Sequence, residues 1–378
     1  MTGKGEERIV ATASVPATQR DAAAALARAL GPGPFAVVIL FASPLADIHR
    51  LAAEADFGAA PVIGCTTAGE ISTDGYTEGE IVAVGLSAAH FAADPILIPD
   101  LRALAAVDLI GGLIRARQGL SRARPEWEHE FAFLMVDGLS IREDELASAL
   151  ASGLGPVPLF GGSAGDGTRF KETFILHRGQ VLRNAAVVTM FRSDCRVRVF
   201  NLDHLTPTGQ RMVVTEADPA RRIVRRINAE PAAREYARLL GKDPAQLTTF
   251  TFAAHPVVVR IGGKHHVRAI QQVAENGDLV FFSAIDEGLV LSLAEPSDMV
   301  AHLEGELSAL GQPEAILACD CILRRMEAQE KQKSSAVSAL LRRFGVVGFS
   351  TYGEQLNSMH VNQTMTGVAI YPPERPRG

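Results

Sequence analysis

The sequence predicts a mixed α/β protein of two lobes, with mixed sheets flanked by helices and an internal duplication in the amino-terminal lobe. Three observations predict it. Phe35–Phe41 reads FAVVILF, a continuous apolar run of the kind found in a strand buried on both faces. The run is followed by a helical segment, a short return strand and a glycine-containing loop. The same order recurs from Phe131, 96 residues later, and Phe35 to Gly69 and Phe131 to Gly165 are both 34 residues apart.

An entry strand over Arg8–Ser14 comes first, then a helix from about Gln19 to Leu30, with Asp21 in its first turn where a carboxylate suits the helix dipole. Gly31-Pro32-Gly33-Pro34 ends this entry segment, residues 1–34. The first repeat spans about 35–95. Ser43-Pro44 opens its helix, Pro61–Gly64 returns as a strand, Thr66–Glu70 forms the loop, and Ile81–Leu86 is strand-like. Leu101–Leu120 reads as one helix and Arg122–Pro125 as a linker. The second repeat spans about 131–200. Its helix is Glu143–Leu154, its return strand Val157–Phe160, its loop Gly161–Asp166, and Ala185–Phe191 a further strand. Ala68-Gly69-Glu70 matches Ala164-Gly165-Asp166, which places Glu70 and Asp166 at equivalent loop ends.

The lobes divide near residues 200–220. Beyond that point Val197–Leu205 and Met212–Thr215 read as strands, Arg221–Ile227 as a strand or turn, and Pro231–Leu240 as a helix. Val257–Ile261 and Val267–Val273 suggest a hairpin around Gly262-Gly263, and Leu279–Ala284 with Leu289–Leu293 suggest another. Ser297–Leu310 reads as a helix and Ala315–Cys321 as a strand. Leu323–Phe344 reads as one long helix with Arg324, Arg325, Glu327, Glu330, Lys331 and Lys333 on its polar side.

Composition narrows the function. Hydrophobic residues make up 47%, enough for a substantial core, and the net charge of -6 gives no general attraction for nucleic-acid phosphates. Aromatics are 6%, with no basic-aromatic interleaving for base stacking. No apolar stretch reaches the roughly 20 residues of a membrane span, and Met1–Arg8 is charged, unlike a signal peptide. The four cysteines, Cys65, Cys195, Cys319 and Cys321, lie in apolar strand-like contexts and read as reduced thiols of a cytoplasmic protein. Cys319-Asp320-Cys321 is too closely spaced for a zinc knuckle.

Gly348–Ile370 holds the densest chemistry: a strand, a polar loop and a strand. The loop carries Tyr352, Glu354, Gln355, Asn357, Met359, His360, Asn362 and Gln363. Elsewhere Gly161-Gly162-Ser163-Ala164-Gly165 fits the letters of a nucleophile elbow but lacks the following helix, since Arg169–Leu176 reads as a strand. A tight glycine loop at a sheet edge is the plainer reading of Ser163; a loop cradling a ligand through backbone N–H groups is the alternative. Glu70 and Asp166 could do acid–base work or hold their own glycine turns. Of the ten histidines, His49, His90, His129, His177 and His302 read as surface residues, as does the pair His265-His266. His360 ranks first as a site residue, then His204 and His255, each also readable as a satisfied core side chain. No Cys-x-x-Cys-His, Walker A, His-Glu-x-x-His or EF-hand signature is present, and no enzyme activity is expected.

Five stretches carry a resemblance: Val62–Ile71, Leu159–Gly167, Phe252–Gly263, Cys319–Glu327 and Gly348–Ile370. Together they are similar to the FIST sensory family, and most similar to its NosP nitric-oxide-sensing haemoprotein group. The resemblance implies a FIST N-terminal domain over 35–215 and a FIST C-terminal domain over 216–372. It implies haem b, held non-covalently since no Cys-x-x-Cys-His motif is present, and for that haem His360 ranks first as ligand, with Met359, His204 and His255 as neighbouring or alternative candidates. It also implies that nitric oxide is sensed and a partner histidine kinase is regulated. Leu323–Phe344, directly before the His360 loop, is the expected transmitter by its position in the chain. The alternative is a haem-free FIST sensor for a small polar ligand such as an amino acid, held by Glu70, Ser163, Asp166, Tyr352, Glu354 and Asn362. A third reading is an enzyme using Ser163 and the carboxylates. Neither nucleic acid nor membrane insertion is expected, and homo-oligomerisation is left open.

Overall fold

The computed structural model describes residues 8–373 apart from Gly262 and Ser358. The charged amino-terminal residues 1–7 and Gly262 of the anticipated Gly262-Gly263 turn lie outside the described residues. The protein is a mixed α/β structure built on three sheets of six strands and one further sheet of eight.

The first unit runs β1 (Val10–Pro16), α1 (Ala22–Leu30), β2 (Phe35–Ala42), α2 (Ile48–Glu54), β3 (Val62–Thr66), β4 (Glu70–Ser72), β5 (Gly75–Thr77) and β6 (Glu80–Ser87). The second repeats this order: β7 (Phe91–Ile98), α3 (Ala106–Ala123), β8 (His129–Val136), α4 (Glu143–Leu154), β9 (Leu159–Ser163), β10 (Ile175–His177), β11 (Gln180–Leu182) and β12 (Ala186–Ser193). A third unit begins at β13 (Val197–Leu202) and is interrupted. The insertion contains β14 (Leu205–Asp218), β15 (Ile223–Ile227), β16 (Glu230–Pro231), α5 (Ala232–Leu240), α6 (Thr249–Ala254), β17 (Val257–Ile261), β18 (Lys264–Arg268), β19 (Ile270–Val273), β20 (Leu279–Phe281) and β21 (Val290–Pro296). The third unit then resumes with α7 (Met299–Ala309), β22 (Ala315–Cys321), α8 (Ile322–Glu330), α9 (Ser334–Arg343), β23 (Val346–Thr351), β24 (Glu354–Leu356), β25 (Met359–Val361) and β26 (Met365–Ile370).

The duplication read from the sequence is therefore a triplication. The sheet orders are β1-β6-β2-β3-β10-β11, β7-β12-β8-β9-β24-β25 and β13-β26-β22-β23-β4-β5. Each has a parallel pair joined through a helical crossover (β2 with β3, β8 with β9, β22 with β23) and an antiparallel neighbour from the same unit. Each also accepts a two-stranded hairpin from another unit. Unit one gives β4-β5 to sheet three, unit two gives β10-β11 to sheet one, and unit three gives β24-β25 to sheet two. The exchange is cyclic and closes.

The apolar runs follow from this arrangement. Val37, Ile39 and Phe41 of β2 face a central core shared with Phe131, Phe133 and Met135 of β8 and Leu317 and Cys319 of β22. The intervening Val38, Leu40 and Ala42 face α1 and α2, and Ala132, Leu134 and Val136 face α3 and α4. Period-two alternation with both faces buried leaves no polar position in the strand. At the centre Phe41 stacks on Phe349 at 4.7 Å and Phe133 on Phe160 at 4.9 Å. Gly64, Gly161 and Gly348 occupy matching places on the three return strands. A β-carbon there would collide with the backbone carbonyl of Leu40, Leu134 or Ala318.

Several local expectations are corrected. Leu323–Phe344 is two helices, α8 and α9, broken at Lys331–Lys333, where Gln332 has φ 55°. Arg324 and Arg325 are buried rather than on a polar face. β20 and β21 do not pair with each other: β20 pairs with β15 and β19, and β21 with β14 and β17. The β17–β18 hairpin forms, starting at Lys264. Arg169–Leu176 is strand only from Ile175, and α3 begins at Ala106 after a short 3-10 turn at Leu101–Ala103. No helix of the described residues is long and apolar enough to cross a membrane.

Candidate functional site

The three return strands end in loops that meet one another. Ala68 N–H donates to the Ser350 carbonyl and Ser350 N–H to that of Gly69. Gly165 N–H donates to Thr66, Ser163 N–H to Gly353, and Tyr352 N–H to Ser163. Each loop is thus pinned by another, and every acid predicted as a site residue is at this joint. Glu70, Ser163, Asp166, Tyr352, Glu354 and Asn362 are all buried.

Register corrects one equivalence. Glu70 opens β4 and Glu354 opens β24, and the two carboxylates are held alike. Thr67 Oγ1 donates to Glu70 and Thr351 Oγ1 to Glu354, each from three residues before. The backbone N–H ten residues on completes the cradle, Glu80 to Glu70 at 3.1 Å and Thr364 to Glu354 at 3.2 Å. In the second unit Ile175 occupies that strand position, opposite Cys65 of β3. Asp166 lies earlier, where it accepts the Tyr352 hydroxyl and the N–H groups of Lys171 and Glu172 at 3.0 Å. Glu354 rather than Asp166 is the structural counterpart of Glu70.

Burial pushes the Glu354 carboxyl up to about 8 and the Glu70 carboxyl up to about 7, so near neutral pH Glu354 keeps its proton. Thr364 Oγ1 adds a bond to Glu354 at 2.7 Å.

Around Glu70 the charged groups are paired in series. The Arg325 guanidinium donates to the carbonyls of Glu70 and Thr77 at 3.2 and 2.7 Å, and to Glu78 at 3.2 Å. Tyr76 donates to Asp320, whose other oxygen accepts Arg324 Nε at 2.8 Å. Arg324 Nη1 reaches His204 Nδ1 at 2.8 Å, and His204 Nε2 faces Glu327 at 3.0 Å. Lys331 closes the series on Glu327 at 2.8 Å, at the surface. An open cleft of about 230 Å³ beside Glu70 is lined by Ser43, Thr168, Arg325 and Gln329 among others.

Around Glu354 the groups are not all paired. Gln355 Nε2 donates to Ser163 Oγ at 3.0 Å and to His360 Nδ1 at 3.1 Å. Burial holds His360 below its ordinary basicity, so the ring is neutral, and with Nδ1 accepting, its proton sits on Nε2. That Nε2 has no partner. Neither do Asn362 Nδ2, Asn362 Oδ1, Gln355 Oε1 or Gln363 Oε1. Gln363 is fixed by its other end, Nε2 to the Ala253 carbonyl at 2.6 Å. His360 is 3% exposed and the three carboxamides 0%. Gly353, at φ 156°, makes the approach feasible: a side chain there would collide with the His360 ring and lie 2.7 Å from Asn362 Nδ2. Gln355 and Gln363 were not singled out as site residues in the sequence; the carboxamide density of their segment was the available signal.

These positions bear on haem. An iron on His360 Nε2 would carry its macrocycle into Gly353 and Asn362 and would need the other ring tautomer. His204 has both ring nitrogens engaged. His255 is half-buried, and burial lowers its basicity, with charges on Lys242, Glu330, Glu295 and Lys331 also acting on it. Met359 is half-buried at the hairpin end. The residues as placed do not fit the macrocycle.

Comparison with known families accounts for most of the chain. A model described as the FIST N domain matches residues 36–230, and one described as the FIST C domain matches residues 232–357. No curated protein matches the chain.

Proposed function

This chain belongs to the FIST family, whose domains are sensory modules of signalling proteins, and from that premise we propose that it senses a small polar, zwitterionic molecule of the amino-acid class. The observation that carries the reading is the unpaired set around Glu354. Two donors, His360 Nε2–H and Asn362 Nδ2–H, suit a carboxylate. The carboxamide oxygens of Gln355 and Asn362, both beside His360, suit an ammonium group. Buried polar groups left unpaired are costly, and a ligand bearing both functions, admitted as the β24–β25 hairpin opens, relieves that cost. The bound state is read by a separate signalling protein, a histidine kinase in the finer reading that the resemblance implies.

The test is a thermal-unfolding screen of the purified protein against the amino acids and related zwitterions. The expected result is a saturable rise in Tm for one chemical subset, amounting to about 2.7 kcal/mol of stabilisation at a hundredfold excess over Kd. Asn362→Leu removes the response. A flat screen across the panel overturns the reading.

The haem and nitric-oxide reading has one observation in its favour, the free His360 Nε2, and it requires the β24–β25 hairpin to open. An absorption spectrum after haem reconstitution, beside His360→Ala, tests it. A Soret band that shifts with nitric oxide and is lost in the variant would restore haem sensing; no saturable binding would remove it.

A further inference from the structure

The opposite ends of the units, where one passes into the next, hold a second cluster of chemistry. The turn from β6 to β7 presents His90, and the turn from β12 to β13 presents Asp194 and Cys195. One nitrogen, one carboxylate oxygen and one sulfur from these residues all lie within 4.8 Å of one another. His90 Nδ1 is 3.1 and 3.2 Å from the two Asp194 oxygens, across 104 residues of sequence.

We propose that His90, Asp194 and Cys195 form a Zn²⁺ site with three protein ligands and one open coordination position. Imidazole, carboxylate and thiolate are the donors Zn²⁺ takes in tetrahedral sites, at about 2.0–2.3 Å. The donor set is mixed and drawn from two turns, unlike an incidental acidic patch. It is also held in place. Ser193 Oγ accepts the Cys195 N–H at 3.0 Å and donates to the His90 carbonyl at 2.7 Å, so one side chain fixes the backbone of both ligands. His90 N–H donates in turn to the Ser87 carbonyl at 3.1 Å. Cys195 is fully buried, while the side chains of His90 and Asp194 are 21% and 31% exposed. The ion therefore enters from the imidazole and carboxylate side and seats against the sulfur. On binding, the thiol proton leaves to solvent and a Zn–S bond forms, with no change of oxidation state. The open fourth position faces outward, where water or a group from another molecule completes it.

Co²⁺ as a spectroscopic probe tests this on the full chain, freed of metal by a chelator. The expected result is one equivalent of Co²⁺ giving a thiolate-to-cobalt charge-transfer band with intense tetrahedral d–d bands, both displaced by Zn²⁺. Cys195→Ala abolishes the charge-transfer band. Asp194→Asn, at a partly exposed position that leaves the fold intact, weakens binding. Ser193→Ala weakens it about 10–100-fold, as loss of a supporting contact does. Zn²⁺ raises the Tm of the parent chain and not that of His90→Ala. Octahedral Co²⁺ spectra without charge transfer overturn the proposal. So does an unchanged band in Cys195→Ala, which would put the sulfur elsewhere. If Cys195→Ala fails to fold, the Asp194→Asn and His90→Ala titrations decide, and parent-like affinity in both overturns it.

Discussion

The hairpin opened by Glu70 and the hairpin opened by Glu354 are two copies of one construction with opposite outcomes. Each buries a carboxyl under a threonine three residues earlier and a backbone N–H ten residues later. Across the strand pair, Tyr76 stands opposite Ile71, and His360 stands opposite Gln355 at the matching register. Tyr76 is tied into Asp320, Arg324, His204 and Glu327. His360 is left with a free nitrogen among free carboxamides. One copy pairs the residue at this register into a charged series and one leaves it without a partner. The contrast teaches that the scaffold alone does not demand unpaired groups here; their survival in the third unit marks the place where the molecule has chemistry to spare.

The strongest way to break the comparison is to unsettle the paired copy. Arg324→Ala strands the Asp320 carboxylate and His204 in the core. It should cost about 3–5 kcal/mol in denaturant unfolding, as removal of one member of a buried ion pair does. Tyr76→Phe removes one donor from Asp320 and should cost about 1–3 kcal/mol. Asn362→Leu, of similar volume, removes two unpaired atoms and should leave unfolding nearly unchanged or slightly more favourable to the native state. A cost for Asn362→Leu equal to that of Tyr76→Phe would erase the distinction between the copies.

The carboxyls sharpen it through pH. Both have folded values above the ordinary 4.5, so each contributes stability that is full below 4.5 and lost as pH rises. The loss from Glu70 ends near 7 and that from Glu354 near 8. Between pH 5 and 8.5, Glu354→Gln should flatten the fall in stability more than Glu70→Gln does, by about 1.4 kcal/mol, the equivalent of one unit. Equal flattening in urea titrations at the two pH values would show the two cradles to be alike. The smallest effect belongs to Lys331→Ala at the exposed end of the series, below about 1 kcal/mol and reduced further by salt.

Much of the architecture was legible in the residues. FAVVILF over Phe35–Phe41 and the run from Phe131 gave two doubly buried strands, because alternation with both faces covered leaves an uninterrupted apolar string. The third copy was also written there. Val62-Ile63-Gly64-Cys65-Thr66-Thr67-Ala68-Gly69-Glu70 aligns without a gap on Val346-Val347-Gly348-Phe349-Ser350-Thr351-Tyr352-Gly353-Glu354. It went unread because its first strand carries Asp320 between two cysteines and its opening strand is separated from the rest by the insertion. The break between α8 and α9 was hidden because Lys331-Gln332-Lys333 contains neither glycine nor proline, and the αL turn falls on Gln332. In the site, His360, Glu354 and Asn362 stood out by local density. His90 did not: its neighbours Asp194 and Cys195 come from a distant turn, and a lone histidine after Ser87-Ala88-Ala89 gives no sign of them.

The cyclic exchange of hairpins has a consequence for how the chain is made. β4, among the first strands to leave the ribosome, pairs with β23, among the last. Until then the edge of the third sheet does not exist, and the β4–β5 hairpin waits without a seat while two units and the insertion are synthesised. A premature stop after the second unit would release a chain with an orphan hairpin at its front and an unfilled edge beside β9, two sticky surfaces on one molecule. The ring of exchanged hairpins thus closes only when the last unit arrives.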